Sequence, residues 1–467
     1  MNVTIHPLKL FILLCAITVS VYLGAFQGGF QYDDSVTILE NPHLDGWQTF
    51  LGHLDHMVRP VLYTTFLFDR SLYGAAPAGY HLLNLLLHLG SGLLVYLIVT
   101  RAVTEETRHV PVWTALVFLV HPIATETVTY ISGRASGLMA FLYLFALFLY
   151  LKADEHSENV TRRRLYLSGA VASFVLAIGS KETAVTLPVI LLFWDMVIRK
   201  LKGPSLRTGI LTRHLPFWIV LLLAAGWAWS HPRYQALAQF SLDLRPLWDH
   251  LLSELHAMAY AVTLLFTPWN QNFDHDLPVF HSLTQWPLPR DLLLLSVTVA
   301  ACLFSWRRFP QVAFGLAWFF IQLLPISLIP RNDLLSERNL YLPAIGLLLA
   351  IVALGSYVIQ RLMTIIRRPG LAPSAWAAVA TVVVVTLCFF TVQRNQLYHD
   401  RLLLWSDAAA KSPNKARPHN NLGYAYALRD DWDRAIEEFR AAARLDPDFI
   451  LAQQNLRDAY LHRVGRR

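Results

Sequence analysis

Long apolar runs recur between residues 8 and 392, and they constrain the fold of this chain more than any other feature. An α-helix of roughly 18–20 apolar residues crosses a bilayer. Five runs approach or exceed that length, at residues 8–26, 82–99, 312–330, 342–359 and 372–392. The chain is 55% hydrophobic and 15% charged, whereas a soluble protein carries about 25% charged residues. The sequence therefore predicts an all-α, polytopic membrane helix bundle.

Shorter apolar runs set the expected number of crossings. They lie at residues 110–124, 137–151, 165–178, 183–198, 215–229 and 292–304. The first long run has no small-residue cleavage site after it, so we expect a retained helix and not a signal peptide. Residues 251–268 contain Glu254 and His256, which are costly in lipid, and predict a re-entrant or interfacial helix. About eleven transmembrane helices are therefore predicted.

The net charge of +7 comes from Lys and Arg residues that cluster in short loops between the apolar runs. One loop contains Arg162, Arg163 and Arg164, and another contains Arg307 and Arg308. This distribution argues against nucleic-acid binding, and the positive-inside rule makes these loops cytoplasmic. The external loops are then residues 29–79, 122–136, 180–183, 230–290 and 330–341, from the first to the fifth. We expect the C-terminus to be external too.

A change of composition near residue 394 divides the chain into a membrane domain, residues 1–394, and a tail, residues 395–467. Within the tail, residues 416–449 have the spacing of one tetratricopeptide unit, a pair of antiparallel helices over 34 positions. The signature positions are Leu422, Gly423, Tyr426, Ala435, Phe439, Ala442 and Pro447. Residues 405–413 predict a half unit before it, and residues 449–463 predict a capping helix. Because one unit is not stable alone, we expect it to contact the membrane domain or a protein partner.

Asp33 and Asp34 follow the first apolar run at the membrane face. Two carboxylates this close repel each other, which raises the pKa of one and suits it to act as a general base near neutral pH. The alternative is that the two residues cap a helix or close a turn.

The second and third external loops carry further charged residues. His121 directly precedes the second loop, which contains Glu126 and Arg134, and the third loop contains Lys181 and Glu182. Arginine binds phosphate through its planar fork of N–H groups, and a lysine at a membrane face suits the phosphate of a lipid. The alternatives are a Glu126–Arg134 ion pair and a Lys181–Glu182 salt bridge that only stabilise the loops.

The fifth external loop contains Glu337, Arg338 and Tyr341 just before a long apolar run. Arg338 is another candidate for binding phosphate. Arginine and tyrosine also anchor helices at the membrane interface, so a structural role is the alternative.

The fourth external loop combines aromatic residues with carboxylates and amides, a composition that suits a sugar. Asp274, His275 and Asp276 are consecutive, and a divalent metal ion held by them is an alternative that their spacing does not favour. The three cysteines all lie inside apolar runs, which leaves neither a disulfide framework nor a cysteine metal cluster. The sequence also contains no Walker loop, dinucleotide fingerprint or nucleophile elbow.

Taken in chain order, these motifs resemble the transmembrane and tetratricopeptide repeat-containing O-mannosyltransferases, and more distantly other GT-C membrane glycosyltransferases. The stretches that carry the resemblance are Tyr32-Asp33-Asp34, Asn41-Pro42, Arg59-Pro60, residues 81–88, 121–134 and 180–183, Phe273-Asp274, residues 337–343 and the tail repeat.

The resemblance implies a GT-C type bundle that transfers a mannose-like sugar, with inversion, from a polyprenyl or dolichyl phosphate to a Ser or Thr hydroxyl of a protein. The lipid-linked sugar is a co-substrate, and a divalent metal ion is an alternative that the sequence does not favour. The resemblance makes Asp33 or Asp34 the base. From their charge, we expect Arg134, Lys181 and Arg338 to neutralise the leaving phosphate. The residues expected to contact the substrate or support these groups are Arg59, His121, Glu126, Glu182, Asp274, Glu337 and Tyr341.

The tail of about one and a half repeats suits a bacterial member, in the inner membrane with periplasmic catalytic loops. A second hypothesis is a membrane scaffold whose catalytic residues have decayed and whose tail recruits partners. The acidic pair and Arg338 favour the enzyme, because a scaffold has no use for them. A transporter is a weaker hypothesis, since the two halves of the chain show no matching broken spans.

Overall fold

The computed structural model describes residues 7–465, and this part of the chain consists of helices and connecting loops without a β-strand. The α-helices of the first half are α1 (Pro7–Tyr22), α2 (Trp47–Leu51), α3 (Pro60–Tyr73), α4 (Pro77–Val99), α5 (Val110–Val120), α6 (Thr125–Val128), α7 (Arg134–Glu155), α8 (Val160–Ser180), α9 (Leu187–Phe193), α10 (Gly203–Gly209) and α11 (Leu215–Ser230). Short 3₁₀ and π turns join many of them, and these turns carry several of the polar residues discussed below.

The second half continues the bundle and ends in the tail. Its helices are α12 (Pro232–Leu244), α13 (Leu247–Leu264), α14 (Leu288–Arg308), α15 (Pro310–Ser327), α16 (Tyr341–Ile365), α17 (Ala372–Leu397), α18 (Arg401–Lys411), α19 (Ala416–Ala427), α20 (Trp432–Leu445) and α21 (Ile450–Gly465). The all-α architecture predicted from the apolar runs is confirmed.

Among the described residues, seven helices are long and apolar enough to cross a membrane. They are Pro77–Ala102, Ile131–Glu155, Gly203–Ser230, Leu288–Arg308, Pro310–Ser327, Tyr341–Ile365 and Pro369–Leu397. The segments Glu105–Val120 and Pro122–Val128, bent by 53° at Pro122, raise the number to eight if they form one span. The chain is therefore a multi-pass membrane protein by the length and composition of its helices.

Three other runs predicted to cross are helical but fall outside that set of eight. They correspond to α1, to α8 and to α9, which a π turn at Trp194–Ile198 extends. Helix α13 covers the run predicted to be re-entrant, and it also falls outside the set. The number of eleven crossings and the re-entrant position of α13 stay predictions.

Small residues bring the long helices of the bundle close together. At Gly315 in α15 and Gly346 in α16, a Cβ atom on either residue would collide with the carbonyl oxygen of the other. Helix pairs in membranes gain van der Waals contact where such residues let the backbones approach. The α15–α16 pair is thereby fixed, and it holds both ends of the loop that carries Arg338.

The tail forms the predicted antiparallel hairpin, α19 and α20, between the half unit α18 and the capping helix α21. A Cβ atom at Gly423 would meet the ring of Phe439 at 2.7 Å, which explains why a glycine occupies this signature position. Asp430 has a φ of 61° in the turn between the two helices. Aspartate tolerates this left-handed conformation better than most residues.

The tail packs against the loops of the bundle and does not project freely. The ring of Trp405 in α18 lies edge-on to Tyr32 and Phe273, at centroid distances of 5.4 and 5.3 Å. The predicted boundary at residue 394 falls inside α17, which continues to Leu397. The expected contact between the tail and the membrane domain is therefore present in the structure.

Candidate active site

A polar cavity of about 280 Å³ opens where the first, second, third and fifth predicted external loops meet. Its charged lining residues are Asp33, Arg59, Lys181, Arg331, Asp333 and Arg338. Helix ends position several of them, because Arg59 precedes α3 and Lys181 follows α8. The loop between α15 and α16 supplies Arg331, Asp333 and Arg338. We call this space the polar cavity.

The acidic pair is divided between the polar cavity and the protein interior. Asp33 lines the cavity with a side chain that is 44% exposed. Asp34 is fully buried, and its carboxylate accepts hydrogen bonds from the backbone N–H groups of Gln31 and Ser132, at 2.8 Å each, and from the Ser132 hydroxyl. Asp34 thus ties the first loop to the second, and Asp33 is the carboxylate that a ligand can reach.

Burial raises the pKa of Asp34 to about 7, although the hydrogen bonds from Gln31 and Ser132 oppose the shift. The neighbouring Asp33 adds a smaller increase through its charge. The repulsion expected between the two carboxylates is therefore present, but it is not the main cause of the shift. The carboxylate with the perturbed pKa is the one buried away from the polar cavity.

Arg338 lies between two carboxylates. Its Nη1 atom is 3.6 Å from Oε1 of Glu126 and 4.0 Å from Oδ2 of Asp33. The buried Glu126 also accepts hydrogen bonds from the backbone N–H of Arg338 and the hydroxyl of Ser336, at 3.0 Å each. The side chain of Arg338 is 30% exposed, so its guanidinium is fixed in direction but remains open to the cavity.

Lys181 is nearly buried, and its ammonium group donates to Ser136 Oγ at 2.7 Å and to Asn339 Oδ1 at 2.6 Å. Burial, together with the charges of Arg59, Arg338 and Arg331, lowers the pKa of Lys181 well below its usual value. A buried ammonium group with neutral partners favours an anion beside it, because an anion offsets both the desolvation and the repulsion.

Glu182 pairs with Arg59 and not with its neighbour Lys181. The contacts are Arg59 Nε to Oε1 at 3.1 Å and Arg59 Nη2 to Oε2 at 2.8 Å, and the Tyr234 hydroxyl donates to Oε1 at 3.2 Å. The alternative of a Lys181–Glu182 salt bridge is thus wrong. Arg59 reaches the cavity wall with its charge already balanced.

Arg134 lies outside the lining of the polar cavity and is completely buried. Its guanidinium pairs with Asp69 at 2.6 Å and donates to Asn84 Oδ1 at 2.7 Å and to the Tyr80 carbonyl at 2.9 Å. The buried position of Arg134 therefore does not support the expected contact with a donor phosphate. The alternative Glu126–Arg134 ion pair is also wrong, since each side chain has other partners.

Four other candidates are buried in contacts that organise the loops. His121 receives a hydrogen bond from the Ile123 N–H at 3.1 Å and caps the turn that follows α5. The Glu337 carboxylate lies 3.0 Å from His275 Nε2 and 3.1 Å from Arg394 Nη2. The Tyr341 hydroxyl lies 2.8 Å from Nδ1 of His88. These residues support the walls of the site from behind.

Asp274, the fourth of these, joins the tail to the membrane domain. Its carboxylate lies 2.6 Å from Lys415 Nζ and accepts from Arg417 Nε at 2.6 Å. The same two cations pair with Asp333, at 2.9 Å from Lys415 and 2.7 Å from Arg417. We call these four residues the tail clamp. Asp274 thus has protein cations as partners, and across residues 7–465 no group of three His, Cys, Asp or Glu residues is arranged to hold a metal ion.

Reasoning from the sequence missed Arg331, Asp333, Lys415 and Arg417. The first two lie in the fifth external loop, where only Glu337, Arg338 and Tyr341 were singled out. Their charge at a membrane face was the available signal. Lys415 and Arg417 flank the start of the repeat, where they read as ordinary solvated residues.

Similarity to known proteins extends over most of the chain. Protein O-mannosyl-transferase TMTC1 of Homo sapiens is 25% identical and aligns with 95% of this chain and 56% of its own length. A protein O-mannosyl-transferase of Caenorhabditis elegans is 23% identical over 94% of this chain and 63% of its own length. The chain therefore spans somewhat more than half of the length of these two relatives.

Two further comparisons concern the tail and the solved structures. The family model described as tetratricopeptide repeat matches residues 416–449, which confirms the predicted unit and its bounds. The crystal structure of the Archaeoglobus fulgidus oligosaccharyltransferase tethered with an acceptor peptide has a TM-score of 0.45 and 12% identity, over 83% of this chain and 55% of that one. The resemblance that the ordered motifs predict is confirmed: over more than nine-tenths of its length this chain is similar to protein O-mannosyl-transferases, and its tail contains a tetratricopeptide repeat.

Proposed function

We propose that this chain is a membrane glycosyltransferase that moves a mannose-like sugar from a polyprenyl or dolichyl phosphate to a Ser or Thr hydroxyl of a protein. The observation that carries the proposal is one cavity in which an accessible carboxylate, Asp33, faces the cations Lys181 and Arg338. Transfer from a lipid phosphate needs a base for the acceptor and positive charge for the leaving group, and this cavity offers both. The names of the relatives supply the mannosyl group and the protein acceptor.

Asp33 is the proposed base. Its carboxylate takes the proton of the acceptor hydroxyl as the oxygen attacks the anomeric carbon from the face opposite the lipid phosphate. The bond between that carbon and the phosphate oxygen breaks with inversion, and the electron pair leaves on the phosphate. Asp34 holds the loop that presents Asp33, because its own carboxylate is occupied by Gln31 and Ser132.

Lys181 and Arg338 are the proposed contacts of the donor phosphate. Negative charge develops on this group in the transition state, and fixed cations in a site with little water stabilise such charge strongly. Glu126 holds Arg338 in place, and Glu182 does the same for Arg59. The orientation that follows from the basic loops puts the polar cavity on the external face, which is the periplasm if the protein is bacterial.

The test is sugar transfer in proteoliposomes, with polyprenyl phosphate sugars as donors and an unfolded polypeptide as acceptor. Asp33→Asn should reduce turnover by about 10²–10⁴-fold, because it removes the base. Asp34→Asn should lower thermal stability more than it lowers turnover. The matched control is Asp243→Asn, at an exposed position on α12, which should leave both unchanged.

Full turnover in Asp33→Asn would reject the assignment of the base. A wild-type protein that transfers no sugar from any donor, while its tail captures a protein partner, would instead support the scaffold hypothesis. The tail contacts the loop that lines the polar cavity, so a partner bound there would lie beside it.

A further inference from the structure

The cations that line the polar cavity are unequally paired. Arg59 is balanced by Glu182, and Arg338 lies near Glu126 and Asp33. Within the described part of the chain, no carboxylate oxygen lies within 4.0 Å of the Lys181 ammonium group. The cavity therefore contains positive charge that the protein itself leaves unbalanced.

Arg331 is the second cation without a close acidic partner. Over residues 7–465, neither an ion pair within 4.0 Å nor a hydrogen bond engages its guanidinium. The charge of Arg331 lowers the pKa of Lys181, and burial lowers the pKa of Arg331 itself. Glu254 and Asp333 oppose this second shift from beyond 4.0 Å, whereas the charges of Arg338 and Arg59 add to it. Arg331 shares the cavity with three other cations, and its acidic neighbours lie too far away to form an ion pair, so an anion bound beside it would be favourable.

An apolar cleft of about 360 Å³ is lined in part by the segment that ends α15. Leu324, Ser327 and Leu328 line this cleft, and Arg331 lines the polar cavity only three residues later. The rest of the lining contains Trp248 and other apolar residues of α13 and α14, and one buried carboxyl group, that of Glu254. A ligand with a charged head and an apolar chain matches this arrangement, because one short segment contributes residues to both the polar cavity and the apolar cleft.

We propose that Arg331, together with Lys181, binds the phosphate of a lipid phosphomonoester whose apolar chain lies in the cleft between α13 and α15. This inference rests on the proposed function, and it adds a residue that the sequence did not indicate. It also explains the unequal pairing, since the two unbalanced cations match the charge of such a phosphate.

The two cations would favour the product over the donor. In the sugar donor the phosphate is a diester with one negative charge. Once the bond to the sugar breaks, the phosphate keeps the electron pair, and the resulting monoester carries roughly −1.5 to −2 charges at pH 7. Arg331 should therefore stabilise the leaving group more than the bound donor, so its loss should lower kcat more than it raises KM.

The test measures binding of farnesyl phosphate to the purified full chain. The readout is the increase in the thermal unfolding temperature of the protein as farnesyl phosphate is added. Arg331→Gln should weaken the binding by about tenfold or more, the usual effect of losing a charge-assisted contact. Arg331→Lys should retain part of it, which separates loss of charge from misfolding. The control is Arg457→Gln, an exposed arginine on α21 far along the chain from the cleft, which should bind like the wild type.

Farnesol and inorganic phosphate are the two probes that separate the parts of the ligand. Farnesyl phosphate should bind more tightly than either. Equal binding of inorganic phosphate would overturn the role of the cleft, and equal binding to wild type and Arg331→Gln would overturn the role of Arg331. Because no sugar is transferred in this assay, it can succeed even if the proposed glycosyltransferase activity fails.

Discussion

The polar cavity and the tail clamp both gather acidic and basic residues from distant parts of the chain, but they balance charge differently. In the clamp, two carboxylates, Asp274 and Asp333, face two cations, Lys415 and Arg417, and every one of them has a partner within 3 Å. In the cavity, two of the four cations, Lys181 and Arg331, have no carboxylate within 4.0 Å, and the carboxylate nearest to the Arg338 guanidinium is 3.6 Å away. Balanced charge holds two regions together, whereas unbalanced charge is left for a ligand.

The two regions are also joined, because Asp333 belongs to both. Against the effect of burial, Arg417 and Lys415 lower the pKa of Asp333 to about 2. The carboxylate therefore stays ionised at neutral pH and keeps the fifth loop attached to the tail. A single and otherwise unstable repeat thus acquires a fixed position beside the cavity.

The largest expected effect concerns charge in the cavity. Arg338→Gln should lower kcat by about 10²-fold or more, because it removes a cation from the developing charge of the leaving phosphate. The hydrogen bond from the backbone N–H of residue 338 to Glu126 remains in this variant, so the loop should keep its position. Steady-state kinetics in proteoliposomes measures the effect, and hydrogen exchange over residues 416–449 should be unchanged. An equal loosening of the tail would show that the two regions do not act separately.

Removing both cations of the clamp should detach the tail. Lys415→Gln combined with Arg417→Gln leaves Asp274 buried without a cation, at a cost of about 3 kcal/mol. Limited proteolysis and hydrogen exchange should show α18–α21 opening before the membrane helices. The matched control, Arg457→Gln on the exposed face of α21, should behave like the wild type. A tail that remains protected in the double variant would mean that aromatic packing around Trp405 is sufficient.

A smaller effect is expected inside the repeat. Gly423→Ala places a Cβ atom 2.7 Å from the Phe439 ring, so the ring must move, and the tail should lose about 1–3 kcal/mol. The matched variant Gly226→Ala in α11 meets no atom within 4 Å and should not lower stability. Comparing thermal unfolding of the two variants isolates the contact from the general effect of replacing a glycine. Equal stabilities would contradict the close packing of α19 on α20.

The last expected effect is a pH dependence of stability at Asp34. The folded-state pKa of about 7 is above the unfolded value of 3.8, so the contribution of Asp34 to stability is fully present below pH 4 and is lost as the pH rises through 7. Thermal unfolding between pH 5 and pH 8 should show the loss, and Asp34→Asn should flatten this part of the profile. An unchanged profile in that variant would mean that the hydrogen bonds from Gln31 and Ser132 keep the carboxylate ionised throughout.

Local patterns in the chain were sufficient for the helices and the repeat. The period and length of the apolar runs predict where most helices lie, because a helix that crosses a bilayer must be long and apolar whatever surrounds it. The repeat was predicted to the residue, since the small residue at Gly423 and the large one at Phe439 are required by the contact between two adjacent helices. Both features depend on neighbours close in sequence.

The pairing of charges depends on contacts between residues far apart in the chain, which no local pattern reports. Asp33 and Asp34 are adjacent in the chain. The Asp34 carboxylate is buried and accepts hydrogen bonds from Ser132 and the backbone of Gln31, whereas Asp33 remains open to the cavity. From the sequence, Arg134 is a candidate for binding phosphate, but in the structure its guanidinium is already paired with Asp69 and hydrogen-bonded to Asn84. A guanidinium or carboxylate has the same chemistry wherever it occurs, and the partners that the fold brings within about 4 Å decide whether it remains available for a ligand.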